Sequence, residues 1–347
     1  MRDKGRRDII LCLLSGVRLL KYGIFVIYCD IQEVILKTKD FLSVADITPE
    51  HLRTLITRAI NLKDEGWNTL LSQKVLVLMF EKPSTRTRVS FEVGMRQLGG
   101  ECIYLSPDEV GLGKRESAAD VARVLSRYAD AIAFRAFSHE TVEIMANNSD
   151  IPVINALSDL EHPCQALADI LTIYEHKQTL QGLTLAFIGD GNNCANSLLL
   201  ACAMCGINFQ IASPAGYELK EDIIRKAQVY ASAIGSEIIC MREPRAAVTN
   251  ADVIYTDVWT SMGQEAESKQ RRKAFADYQI TSILLSQAKK DAILMHPLPA
   301  HHGEEVAENI IYSQQSVVFD QAENRLHAQK ALLADMLGGT ERMAGYR

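Results

Sequence analysis

KVLVLMFEKPSTRTRVSFEVGMRQLGG, residues 74–100, contains the change of pattern that decides the fold. KVLVLMFEK (74–82) is apolar without alternation and predicts a strand buried on both faces. TRVSFEVGMRQLGG (87–100) then predicts a helix, ended by Gly99-Gly100. Between them lie Pro83 and a run of hydroxyl and guanidinium side chains.

The same alternation continues on both sides. Upstream, TPEHLRTLITRAINLKD (48–64) predicts a helix with Thr48 as N-cap, Pro49 at its first position and Glu50 in its first turn. Downstream, a helix over Ala118–Tyr128 precedes a strand over AIAFRA (131–136). A long helix runs from Pro163 towards His176, a length that suits a linker between domains. LTLAFIGDGNN (183–193) predicts a strand running into a turn, followed by a helix over CANSLLLACAMCG (194–206), and further strands lie at 208–213, 252–259 and 292–299. The expected fold is α/β: two doubly wound parallel-sheet domains joined by long helices. The pattern divides near residue 175, into 39–175 and 176–347. Residues 1–38 form an N-terminal extension that is not part of the core.

The extension begins with a basic RDKGRR (2–7) and a largely apolar Ile9–Cys29, but Arg18 and Lys21 interrupt it. Its longest uncharged stretch falls short of the ~18–20 residues that span a bilayer, so no membrane role is expected. The whole chain has 347 residues, 48% hydrophobic and 23% charged, and a net charge of −6. Two domains fit that length, and no broad positive field is available to hold a nucleic acid. Eight scattered cysteines fit free thiols in a reducing cytoplasm. Cys202 and Cys205 form a C-x-x-C inside an apolar helix. No second pair accompanies it, so it reads as packing, and no metal or cofactor is expected.

The chemistry gathers after the first strand. Ser84, Thr85, Arg86, Thr87 and Arg88 lie at a helix N-terminus, where unpaired N–H groups and the dipole favour an anion. Two arginines and three hydroxyls in five positions exceed what a cap requires, and a guanidinium suits bidentate contact with phosphate. Arg135 lies near a strand end, where ligand crevices form, although a strand-end arginine is often a surface residue. In His162-Pro163-Cys164-Gln165, Pro163 opens a helix, with His162 at its cap and Gln165 in its first turn. Both side chains can point towards one small polar group.

These segments together resemble the signatures of the aspartate/ornithine carbamoyltransferase family, over residues 39 to the C-terminus. The resemblance implies that Ser84, Thr85, Arg86 and Thr87 hold the phosphate of carbamoyl phosphate. Arg86, Arg135 and His162 would polarise the carbonyl oxygen, and Gln165 would bind the carbamoyl amide. Arg325, in Glu323-Asn324-Arg325, matches the family's C-terminal arginine that meets carbamoyl phosphate; by itself it reads as a helix-capping or surface residue. Residues 39–175 would then bind carbamoyl phosphate and 176–347 the amino acid, with the C-terminal helix packing back on the first domain. A cytoplasmic homo-oligomer, a trimer or a multiple of trimers, is also implied.

Asp257-Val258-Trp259-Thr260-Ser261-Met262-Gly263 resembles the family's ornithine-binding loop. Asp257 would accept from the α-ammonium with Ser261 beside it, and the backbone around Met262 would meet the carboxylate. Asn193 matches another ornithine position. Read alone, Asp257 is a helix cap and Asn193 a turn residue with left-handed geometry. The implied reaction is carbamoyl transfer to the side-chain amine of L-ornithine, giving L-citrulline, in arginine synthesis or breakdown. Aspartate, putrescine or an acylated ornithine are the rival acceptors, and a catalytically silent relative is a rival of another kind. Gly189-Asp190-Gly191 after a strand also invites a dinucleotide, but the third glycine and the acid ending the next strand are missing.

One position departs from the family. Ornithine-using members usually read His-Cys-Leu-Pro where this chain has His296-Pro297-Leu298-Pro299. The resemblance implies that Pro297 and Leu298 bind carbamoyl phosphate and that the Leu298 carbonyl can contact the amine, but a proline cannot orient that amine through a polar side chain.

Overall fold

The computed structural model describes residues 39–338 apart from 113, 114, 262 and 264. The expectations for residues 1–38 and for Met262 therefore lie outside the described residues. Two parallel sheets organise the chain. The first has the order β2-β1-β3-β4, with β1 Val75–Phe80, β2 Glu101–Leu105, β3 Ala131–Arg135 and β4 Val153–Leu157. The second has the order β7-β6-β5-β8-β9, with β5 Thr184–Ile188, β6 Asn208–Ala212, β7 Ile238–Met241, β8 Val253–Tyr255 and β9 Ile293–Met295. Helices flank both sheets, the α/β architecture that the alternation predicts.

The helix starts follow their chemistry. Thr48 accepts from the His51 N–H at 3.1 Å and caps the helix Pro49–Glu65. Ser84 caps Thr85–Gln97. The linking helix Pro163–Lys177 opens on its proline, and every residue from Pro163 to Ile173 is buried. The C-terminal helix Val318–Leu337 packs against Pro49–Glu65, Thr85–Gln97 and the linking helix. One apolar cluster runs through both halves, from Phe80 and Phe91 through Leu167 and Leu171 to Phe187 and Phe209. Among the described residues no helix is long and apolar enough to cross a membrane.

Two expected strands prove shorter. The 252–259 segment is strand only over Val253–Tyr255, and 292–299 only over Ile293–Met295. β9 ends where the His296 backbone turns from the sheet to a helix. The His296 N–H donates to Gln321 Oε1 at 2.8 Å, whereas Thr256 stays tied to its sheet neighbours, its N–H donating to the Met295 carbonyl at 3.3 Å and its Oγ1 to the Ile188 carbonyl at 2.7 Å. Three short strands, β2, β4 and β7, have no counterpart in the sequence-based assignment. The helix expected over Ala118–Tyr128 ends at Leu125.

Candidate active site

In each sheet one pair of neighbouring strands sends its connections in opposite directions: β1 and β3 in the first, β5 and β8 in the second. Ligands of open parallel sheets bind beyond the carboxyl ends at such points. Here both points open on one cleft of about 320 Å³.

The first sheet supplies the cationic side. Phe80 and Arg135, the last residues of β1 and β3, are paired in register. Beyond them Lys82, Ser84, Thr85 and Arg86 line the cleft with Arg135 and His162. Arg325 joins them from the C-terminal helix. It is only 3% exposed, so it is neither a cap nor a surface residue. Its Nη2 donates to Thr87 Oγ1 at 2.7 Å, and Ser84 Oγ donates to the same oxygen at 3.0 Å. Thr87 is thus buried behind the lining residues, tying the Ser84 cap to Arg325. Arg88 turns away, paired with Glu92 at 2.8 Å and stacked on Tyr104.

Four cations meet Asp257 as the single carboxylate among the described lining residues. Burial, followed by repulsion from Arg325 and Arg86, pulls Arg135 down to about 10. Burial, then Arg135, pulls Lys82 down to about 8. Burial and the same cations hold His162 well below the usual imidazole range, so it is neutral near pH 7 and retains one N–H to donate. The Nε atoms of Arg86, Arg135 and Arg325 and the Nδ1 of His162 are buried without a protein partner. Buried polar atoms are normally paired, so this group suits an oxyanion.

Gln165 is buried one turn into the linking helix and is not among the cleft-lining residues. Its Nε2 donates to Asp169 at 2.8 Å, and its Oε1 has no partner in the protein. His162 and Gln165 therefore do not line the cleft side by side.

The second sheet supplies the acidic side. Asp257 follows β8 and is no helix cap. It accepts from Asn192 Nδ2 and from the Val258 N–H, both at 2.8 Å. Asn192 caps the helix Asn193–Cys205 through its Oδ1. Asn193 is the first helical residue and has no left-handed backbone, contrary to its reading as a turn residue. Its Nδ2 donates to the Ser158 carbonyl of the first half at 2.7 Å. Asn193 and Ser261 line the cleft, as do Pro297 and Leu298. Leu298 is left-handed at φ 57°, and its N–H is held by His296 Nδ1 at 2.9 Å.

A β-carbon on Gly191 would lie 2.3 Å from Leu219 N and 2.4 Å from Glu218 C. The chain's own backbone occupies the close approach that a dinucleotide would need. Cys202 and Cys205 are buried free thiols in the Asn193–Cys205 helix, and burial pushes Cys205 up to about 12. Among the described residues His301, Glu304 and Glu305 form one group with metal-ligand spacing. Glu304 already pairs with Arg272 at 2.7 Å, and Glu305 Oε1 accepts from the His301 N–H at 2.5 Å.

Sequence reasoning assigned no role to Lys82, although it adjoins the Ser84–Arg88 motif, nor to His301. It also missed the buried cluster around Asp169. The signal there was a lone acid inside the apolar run of the linking helix.

Comparison with known proteins accounts for this arrangement. Residues 39–175 match the carbamoyl-P binding domain, and residues 181–336 the Asp/Orn binding domain, of aspartate/ornithine carbamoyltransferase. The ornithine carbamoyltransferase of Anoxybacillus flavithermus is 54% identical over 306 residues, 87% of this chain and 98% of that protein. That of Pyrococcus abyssi is 50% identical, covering 89% and 98%. The solved ornithine carbamoyltransferase of Pyrococcus furiosus superposes with a TM-score of 0.85 at 49% identity, covering 88% of this chain and 99% of that one. The chain belongs to the aspartate/ornithine carbamoyltransferase family.

Proposed function

We propose that this chain transfers the carbamoyl group of carbamoyl phosphate to the side-chain amine of L-ornithine, giving L-citrulline and phosphate. One observation carries the reading: a single cleft lined by Arg86, Arg135 and Arg325 also holds Asp257. The cations suit a phosphate dianion, and the acid suits the α-ammonium of an amino acid. The names of relatives at about half identity point the same way.

In this reading Ser84, Thr85, Arg86 and Arg325 hold the phosphate, and Thr87 orients Arg325. Arg86, Arg135 and the neutral imidazole of His162 donate to the carbonyl oxygen. Gln165 meets the carbamoyl amide. Asn193, Asp257, Ser261 and Met262 hold ornithine, with Pro297 and Leu298 beside the reacting amine. The uncharged amine attacks the carbonyl carbon, the C–N bond forms, and the C–O bond to phosphate breaks. The departing phosphate takes the proton that the amine gives up. Negative charge grows on the carbonyl oxygen and then on phosphate, where preplaced donors stabilise it. Losing one such donor typically costs ~10²–10³ in rate, and aligning two reactants supplies much of the rest.

We read residues 39–175 as the carbamoyl-phosphate domain and 176–347 as the ornithine domain, in line with the two family matches. We further propose a cytoplasmic homotrimer or a multiple of it. Exposed Val89 and Ile103 support burial between copies, and the free thiols of the described cysteines support a reducing compartment.

The test is a carbamoylation assay with carbamoyl phosphate and a panel of amines. Ornithine is expected to outpace aspartate, putrescine and acetylornithine by orders of magnitude. Equal rates would sink the ornithine assignment.

A further inference from the structure

An amide side chain can present either its oxygen or its NH2 group. At Gln165 the choice is fixed by a chain of hydrogen bonds that starts from a group of one polarity. The backbone N–H of His296 can only donate, and it meets Gln321 Oε1 at 2.8 Å. Gln321 must then turn its Nε2 towards Asp169, where it donates to Oδ1 at 2.7 Å. The Tyr255 hydroxyl donates to Asp169 Oδ2 at 3.0 Å. Gln165 Nε2 donates to Asp169 Oδ1 at 2.8 Å.

Burial pushes Asp169 up to about 7, so above that pH its carboxylate is ionised and offers only acceptors; Gln165 then turns its NH2 group to Asp169 and its oxygen the other way. The backbone N–H of His296 fixes Gln321, and the ionised carboxylate fixes Gln165, so both orientations follow from polarity. Gln165 Oε1 is the one buried polar atom of these four side chains left without a partner. One turn earlier on the same helix, His162 lines the cleft with its Nδ1 also unpaired.

We propose that Asp169 is a positioning residue that fixes Gln165 as a hydrogen-bond acceptor, so that the site selects a carbamoyl group over an acetyl group. This rests on the proposed function, in which Gln165 meets the carbamoyl amide. A carbamoyl N–H satisfies the buried oxygen. The methyl group of acetyl phosphate leaves it buried and unpaired, and a site built to pair a polar group rejects the analogue that lacks it. A Gln165 free to rotate would present its own NH2 group part of the time and lose that discrimination.

The experiment measures, at a pH above 8 where Asp169 is ionised, equilibrium binding of carbamoyl phosphate, acetyl phosphate and inorganic phosphate to the full chain and to Asp169→Leu and Asp169→Asn. The unmodified chain is expected to prefer carbamoyl over acetyl phosphate by ~10–100-fold. Asp169→Leu removes the acceptor and brings that ratio towards unity, with inorganic phosphate bound as before. Asp169→Asn keeps an oxygen for Gln165 and Gln321 and turns its NH2 group to Tyr255, so it retains the preference. Where Asp169→Leu does not fold, Asp169→Ala carries the same expectation, because a water in its place can donate or accept. An unchanged ratio in the Leu or Ala variant overturns the proposal. So does inorganic phosphate weakening in step with carbamoyl phosphate, which marks general damage, or loss of the preference in Asp169→Asn. A chain that does not carbamoylate ornithine at all fails the proposed function, whereas normal turnover with an unmoved ratio fails this inference alone.

Discussion

Lys82 brings an ammonium to the cleft from the turn after β1, with the Phe137 ring 5.0 Å away. Burial and Arg135 bring it down to about 8, so it is charged at neutral pH and uncharged above that value. Its attraction for a phosphate dianion is therefore present below pH 8 and fades as pH rises through it. Lys82→Met is expected to weaken inorganic phosphate about tenfold at pH 7, the scale of one charge-assisted contact, and to flatten the fall in affinity between pH 7 and 9. The titration of phosphate itself cancels between the two proteins, so parallel pH curves would refute the assignment. Pro297 gives the complementary case. It lines the cleft beside Leu298 yet has neither N–H nor polar side-chain atom. Pro297→Cys is expected to lower the KM for ornithine or to move its pH dependence, leaving carbamoyl phosphate affinity in place. Steady-state kinetics from pH 6.5 to 9.5 decide it, and identical ornithine profiles remove any role for the thiol.

At the scale of elements, the turn after β5 is set by close packing. The position of a β-carbon on Gly191 is filled by backbone of Glu218 and Leu219, which cannot rotate aside as a side chain can. Gly191→Ala must displace that segment or the turn, and the turn carries Asn192, which holds Asp257, and Asn193. The variant is expected to raise the KM for ornithine by at least tenfold while inorganic phosphate still binds. Equal losses for both would mean that the turn does not serve the amino-acid side specifically. The same turn marks a limit of sequence reading. Two glycines after a strand announce a close approach, but not whether a cofactor or the chain itself makes it. Strands and helices were legible where burial imposed a pattern, as in Val75–Phe80, and where caps were chemically distinct, as at Thr48 and Ser84. The end of β9 was not legible, because the partner of the His296 N–H lies on the C-terminal helix. Ser84–Arg86 stood out because so many anion-binding side chains fall together. Arg325 drew notice only through resemblance, since its partner Thr87 lies 238 residues away. Asp169 failed to draw notice for the same reason: Tyr255 and Gln321 reach it from distant segments.

For the molecule as a whole, the site sets its demands against stability. The shared apolar core and the C-terminal helix bring Arg325 to the first sheet's switch point, where it is buried beside Arg86 and Arg135. Burial, with Arg86 next, makes its charge costly in the free protein, and an anion in the cleft offsets that cost. Folding and phosphate binding are therefore linked through the same guanidinium. Phosphate at 100 times its Kd stabilises the folded state by about 2.7 kcal/mol, a rise of several degrees in Tm for a chain of this size. Arg325→Met removes the buried charge and keeps most of the side-chain volume. Its Tm without phosphate is expected to equal or exceed that of the unmodified chain, although Thr87 loses a donor. A tenfold weaker Kd then removes about 1.4 kcal/mol of the phosphate-induced gain. Thermal melts at graded phosphate concentrations separate the two terms. A variant that melts several degrees lower without phosphate, yet gains as much from it, would show that Arg325 serves packing and not the anion.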